Sequence, residues 1–393
     1  MAETVHSPIV TYASMLSLLT LCPSFDGSVV QTSGFLWENG VQGLVNIWPR
    51  PTAIAWKIIF CYGAFEAALQ LLLPGKRVEG PDNGLAAYFV TIATYLGLWW
   101  FGIFNPAIVY DHSGEIFSAL IFGSFIFCVL FFLCVFKTYL FVLYLGHVAP
   151  SSSDSGSCGN LIIDFYWGME LYPRIGKNFD IKVFTNCRFG MMSLVVLAVT
   201  YCIKQYEING RVSDSMLVNT ILMLVYVTKF FLWEAGYWNS MDIAHDRAGF
   251  YICWGCLVWV PCIYTSPGMY LVNHPVELGT HLAIYILVAG SLCIYINYDC
   301  DIQKNFYSLG WLQIVATYKT TASETKTSLL LTSGWWGLAR HFHYVPEILS
   351  SFFWPHCCLN QFLPYFYVIY VTILLFHRLY CERVRYRIVP GIY

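Results

Sequence analysis

Ionisable residues are scarce in this chain, and they gather where a reaction would need them. Only 11% of its 393 residues are Asp, Glu, Lys or Arg. Yet WEAGYWNSMDIAHDRAGF, Trp233 to Phe250, places Glu234, Asp242, Asp246 and Arg247 around His245, between two long apolar runs. Ionisable groups near a membrane interior are costly and are usually kept for a task. A carboxyl pressed into apolar surroundings holds its proton up to neutral pH and can then deliver it. If residues 240–248 are helical, Asp242 and Asp246 share a face at i,i+4, with His245 at i,i+3 from Asp242. Downstream, Pro261-Cys262-Ile263-Tyr264 sets a phenol inside an apolar run. Phenol plus carboxyl makes a proton relay. For Asp246 and Arg247 a solvated loop, capped at Asp242, is an equal reading.

A second constellation is LLLTSGWWGLARHFHY, Leu329 to Tyr344. Gly334 and Gly337 permit close approach of a ligand or a helix. Trp335 and Trp336 offer flat faces for stacking, and Arg340 suits bidentate contact with phosphate or carboxylate. The same residues also read as an aromatic belt at headgroup depth. His341 and His343 are two apart and diverge on a helix, so they do not form a metal pair. No G-x-G-x-x-G follows a strand pattern, so a Rossmann domain is not supported.

The elements that must position these residues are set by composition. The chain is 58% hydrophobic and 18% aromatic, with mean hydropathy +0.58. Its charges are too few to cover a soluble surface, which is typically about 25% charged. The expected fold is all-α, a polytopic integral membrane helical bundle in one membrane domain over 1–393. Residues 1–150 form N-terminal spans, and 151–393 form C-terminal spans with the ligand pockets. Apolar runs near the roughly 20 residues of a crossing fall at 8–22, 53–74, 85–110, 116–147, 189–203, 216–239, 250–273, 281–298 and 345–377. Pro355 and Pro364 are placed to split the last run, giving about eight to ten spans. MAETVHSPIV lacks the basic region of a secretory signal, so the first run is read as retained. Basic residues cluster at Arg174 to Arg188, at Lys304, Lys319 and Lys326, and at Arg378 to Arg387; all three can face the cytosol and would suit a phosphate-bearing cofactor. With a net charge of −2 there is no case for nucleic-acid binding. Cys253 and Cys256, three apart within a span, read as helix packing.

Several strings resemble the membrane sterol reductase family. GNLIIDFYWGMELYPR (Gly159 to Arg174), with KNFDIKVFTNCRFG after it, resembles the family's first signature. LLTSGWWGLARHFHY resembles its second, and YRIVPGIY resembles its ending. The resemblance implies NADPH-dependent reduction of the ring-B double bond of a Δ5,7-sterol, in the endoplasmic reticulum membrane. It implies Tyr264 as proton donor, with Glu234 and Asp242 polarising it and His245 and Asp246 connecting the relay. It places the cofactor against Lys304, Leu331, Trp336, His343, Tyr344 and Tyr380, with Arg340 beside them; His343 stands where many relatives have Asn. The chain departs from the family after Lys304, where a basic stretch is missing, and before Tyr380, where an acidic-to-basic segment is missing. The loop after Pro81 and the region between Pro23 and Asp26 are also shortened. Two alternatives stay open: a sterol-binding membrane protein with turnover impaired by those losses, and an integral-membrane methyltransferase.

Overall fold

The computed structural model describes residues 49–73, 76–77, 81–144, 156–175, 179–238, 240, 243, 246–306, 312–319, 325–331, 334–339, 342–357 and 365–377. The N-terminal half contributes α1 (Ala53–Leu72), α2 (Gly84–Trp100), α3 (Ala107–Asp111), α4 (Ser113–Tyr144) and α5 (Leu161–Trp167). The rest is α6 (Ile181–Asn209), α7 (Asp214–Leu232), α8 (Glu234–Tyr237), α9 (Phe250–Asn273), α10 (Thr280–Phe306), α11 (Trp335–Leu338), α12 (Tyr344–His356) and α13 (Phe366–His377). Six of these, α1, α4, α6, α7, α9 and α10, have the length and hydropathy of membrane spans, and α2 is a shorter apolar helix. The expected helical bundle is what forms. The 8–22 run lies outside the described residues, so among the described residues six full-length spans stand against the eight to ten expected.

One run divides differently from the pattern, and another divides as expected. The 85–110 run does not stay one helix: α2 stops at Trp100, Gly102 takes φ +68°, and Pro106 starts α3. The 345–377 run is two helices, α12 and α13, as its prolines suggested. Small antiparallel hairpins also interrupt the helices. β1 (Lys76–Arg77) pairs with β2 (Pro81–Asp82), and β3 (Arg174–Ile175) with β4 (Phe179–Asp180). The polar stretch after α10 is a longer hairpin, β5 (Leu312–Lys319) with β6 (Thr325–Leu331).

Helix starts follow capping chemistry. The Thr52 hydroxyl accepts from Ala55 N at the head of α1, Asn160 Oδ1 accepts from Ile162 N and Ile163 N at α5, and Ser213 Oγ accepts from Met216 N at α7. Asp180 Oδ1 accepts from Val183 N at the head of α6. Burial pushes the Asp180 carboxyl up, against that bond and the nearby Arg174 guanidinium. Near its start α6 widens into a π-helical turn over Phe184–Met191, a distortion frequent at functional sites.

The most buried span is α6, and α1, α4 and α10 leave most of their surface outside the bundle. Trp100, Leu72 and Phe101 are among the most exposed large apolar residues, as lipid-facing positions must be. Inside, helices approach closely at small residues. A Cβ on Gly268 would sit 3.0 Å from Asn219 Oδ1 and 3.1 Å from Tyr201, and one on Gly290 would sit 2.8 Å from Leu222. These contacts bind α9 to α6 and α7, and α10 to α7.

The backbone crossing at Gly168 and Gly249 is tightest. A Cβ on Gly249 would meet Gly168 N at 2.3 Å, whereas one on Gly255 would meet nothing within 4 Å. Gly249→Ala is expected to cost about 1–3 kcal/mol or more by overpacking, and Gly255→Ala to be near neutral. Thermal melting of the two purified variants in detergent checks the contrast.

Candidate active site

The segment that opened the sequence reading folds in two parts. Trp233 ends α7, and Glu234 begins α8 with only 1% of its surface exposed. Its Oε1 accepts from Arg188 Nη1 at 2.5 Å, and its Oε2 accepts from Gly84 N at 2.9 Å. Arg188 is fully buried in the π-helical turn of α6; its Nη2 donates to Asn83 Oδ1 at 2.9 Å, and its guanidinium lies over the Phe231 ring. Nearby, the buried Glu66 of α1 accepts from the Thr91 hydroxyl of α2 at 2.7 Å. Glu234 is thus held by Arg188 and by the start of α2.

The second part, 246–249, is not helical, so the shared i,i+4 face does not extend to Asp246. The stretch is stitched to the preceding loop instead. Fully buried Lys182 donates from Nζ to the carbonyls of Ile243 (2.8 Å) and Asp246, and lies over the Tyr172 ring. Arg247 Nη1 donates to Gly156 O at 2.7 Å, and Ala248 N donates to Glu170 O at 2.9 Å. Asp242 and His245 lie outside the described residues.

Tyr264 sits midway along α9, its ring 4.7 Å from that of Tyr367 on α13. Gly268 faces Asn219, so in these antiparallel helices Tyr264 stands near the level of residue 223. Glu234 is then about 15 Å further along α7, at 1.5 Å per residue. The structure does not bring Glu234 to Tyr264, because Glu234 is drawn to Arg188 and the start of α2.

The carboxylate on the Tyr264 side is Glu347 of α12. Its Oε1 accepts from the Tyr226 hydroxyl of α7 at 2.9 Å. The Tyr226 ring lies edge-on to Trp354 (5.0 Å), which stacks on Tyr367 (5.1 Å). One turn from Tyr226, Lys229 Nζ donates to Asp301 Oδ2 at 2.8 Å and to Asn297 Oδ1. Asn297 Nδ2 donates to His343 O at 2.9 Å.

Here the second constellation joins. The Trp336 ring is 4.8 Å from His343 and the His343 ring 4.3 Å from Tyr344, while Trp336 Nε1 donates to Cys300 O at 2.9 Å. Trp335 stacks on Phe342 and donates from Nε1 to Asp299 Oδ2 at 2.7 Å. Of the expected cofactor residues, Trp336, His343 and Tyr344 come together at the junction of α10, α11 and α12. Leu331 ends β6, and Lys304 is in the last turn of α10; the side chains of both, and Arg340 and Tyr380 altogether, lie outside the described residues. The gathered ring faces of Trp336, His343 and Tyr344 offer a stacking surface for a flat ring, while the Asn297 amide is already engaged by Lys229 and His343 O.

Sequence reasoning missed Tyr226, Lys229, Asn297, Asp301 and Glu347. The available signal was the rule applied to Glu234: Lys229 and Glu347 are ionisable residues inside apolar runs. Cys253, of the C-x-x-C pair, is buried and receives a weak bond from Thr185 Oγ1, a helix-packing contact.

This helical membrane architecture coincides with a family match over residues 24–393, to the Ergosterol biosynthesis ERG4/ERG24 family. The chain belongs to that sterol reductase family. Among its relatives, it is 74% identical to a 7-dehydrocholesterol reductase of Arabidopsis thaliana, covering all of both chains. That alignment spans 443 positions against 393 residues here, so about 50 positions have no counterpart in this chain. It is 31% identical to the 7-dehydrocholesterol reductase of Xenopus laevis, over 90% of this chain and 84% of the relative. It is also 31% identical to a Delta(14)-sterol reductase of Methylotuvimicrobium alcaliphilum, over 88% and 86%.

Breaking the buried Arg188–Glu234 pair on one side leaves an uncompensated charge. Arg188→Met or Glu234→Leu alone is expected to cost about 3–5 kcal/mol, and the double replacement far less than the sum. Melting temperatures of the three variants, purified in detergent, measure the coupling.

Proposed function

We propose that this chain reduces the C7=C8 double bond of Δ5,7-sterols, with NADPH as reductant, in the endoplasmic reticulum membrane. The observation that carries this reading is 74% identity along the whole chain to a 7-dehydrocholesterol reductase. The gathering of Trp336, His343 and Tyr344 above the Tyr264 cluster supports it.

A diene without an electron-withdrawing group accepts hydride poorly, so it must be protonated first. Tyr264 is the proposed donor: its O–H breaks, a C–H forms at one alkene carbon, and the other carbon becomes cationic. Tyr264 and Tyr367 present aromatic faces that favour a neighbouring cation. NADPH, when bound, supplies the hydride that quenches it. Trp336, His343 and Tyr344 would hold the nicotinamide end, and Lys304, Arg340 and Tyr380 the phosphate-bearing end, with Leu331 lining the site. Glu234, paired with Arg188, has a positioning part, and Asp242, His245 and Asp246 are proposed as the polar residues of the sterol site. Apolar surroundings that exclude bulk water would also protect the cation from hydration.

A second reading, a sterol-binding protein of reduced turnover, is favoured by the 50 or so missing positions. Titration of the purified chain with NADPH separates the two, because saturable binding supports the enzyme.

Expression in a yeast that accumulates Δ5,7-sterols should yield the Δ5 product by mass spectrometry. Tyr264→Phe should lower that yield by roughly 10²-fold or more, the range of general-acid contributions. Wild-type yield from Tyr264→Phe would remove the proposed donor.

A further inference from the structure

Glu347 is a carboxylic acid within an apolar helix, and none of the residues assigned above has a use for it. It lies against α7, where Tyr226 donates to its Oε1 at 2.9 Å. The charged and titratable groups facing it are Lys229 and Asp301, with the phenols of Tyr226, Tyr264 and Tyr367 beyond. Tyr226 shares a ring cluster with Tyr264: it lies edge-on to Trp354, which stacks on Tyr367, whose ring is 4.7 Å from that of Tyr264. The backbone of the Glu347 turn is held as well: Glu347 N donates to His343 O at 3.4 Å, and the same carbonyl accepts from Asn297, the partner of Lys229. A hydrogen-bonded acid–phenol pair, Glu347 and Tyr226, therefore lies between the Lys229–Asp301–Asn297 group and the ring cluster of Tyr264. The rings beside it are buried: Trp354 is 1% exposed and Tyr367 is fully buried.

A phenol that gives its proton to an alkene is left as phenolate in a place bulk water does not reach. It must be reprotonated before another turnover. We infer that Glu347, acting through the Tyr226 hydroxyl, is the positioning and reprotonating residue for Tyr264. The inference rests on the proposed reduction with Tyr264 as donor. The steps balance. Glu347 takes a proton from water at the His343–Lys229 end. It passes that proton to the Tyr226 oxygen as the Tyr226 hydroxyl hydrogen moves to the Tyr264 phenolate. Glu347 returns to carboxylate, both phenols are restored, and the net transfer is one proton from water to sterol. Between turnovers the Tyr226–Glu347 bond fixes the Tyr226 hydroxyl.

The test uses the full chain, purified in detergent, with a Δ5,7-sterol and NADPH, in water and in deuterated water. Glu347→Gln and Tyr226→Phe should each lower kcat at least about tenfold, leave the sterol KM within about twofold, and raise the solvent isotope effect on kcat. Glu347→Asp should recover most of the turnover, because it restores a transferable proton. A purely structural role would move melting temperature and KM while leaving the isotope effect alone. Tyr226→Phe keeps the ring against Trp354, so it carries the comparison if Glu347→Gln does not fold. Variants with wild-type kcat and isotope effect, in a chain that makes Δ5 product, would overturn the relay alone. No product from the unaltered chain would overturn the relay together with the reading it rests on.

Discussion

Arg188 and Glu234 meet at 2.5 Å with neither side chain reached by solvent, and much of the bundle is arranged around that contact. A lone charge at this depth would be intolerable, so each must find the other. Their remaining donors and acceptors tie in Asn83 and Gly84, so the pair joins the central α6, the end of α7 and the start of α2. The π-helical turn of α6 places the guanidinium there. Fully buried Lys182, two turns away on the same helix, works alike, closing the 243–246 carbonyls onto the loop before it. Two buried cations on one helix thus fix the frame within which the acidic segment is displayed.

With that frame fixed, the polar groups of the C-terminal half fall into a second set. Lys229, Asp301 and Asn297 neutralise and hydrogen-bond one another between α7 and α10. Glu347 and Tyr226 join α12 to α7. The two sets occupy different sectors of the same end of the bundle. One is closed upon itself and suits a structural task. The other sets an acid–phenol pair beside the ring cluster of Tyr264 and suits the movement of a proton.

Much of this was legible in the sequence. Apolar runs located the spans because the bilayer sets their length, and the family strings located Trp336, His343 and Tyr344 as a group. The role of Glu234 was not legible. Its position in an apolar run announces a partner, but that partner is 46 residues away and is chosen by tertiary packing. Glu347 was passed over because it sits in a long apolar run read only for how many times it crosses, and only the fold sets Tyr226 opposite it. The β5–β6 hairpin was read as a polar connection, since its charged residues masked the strand pattern of LQIVATYK and TKTSLLL. The end of α2 at Trp100 depended on a left-handed Gly102 that hydropathy does not register.

The account as a whole stands on an acid-first reduction of a lipid alkene. Its most direct test is to run the purified chain with a Δ5,7-sterol and unlabelled NADPH in deuterated water, and to weigh the product. The account predicts Δ5-sterol carrying a single deuterium at the reduced bond, with the second new hydrogen coming from the dinucleotide. Product with no solvent deuterium, or no reduction in the presence of saturably bound NADPH, would contradict it.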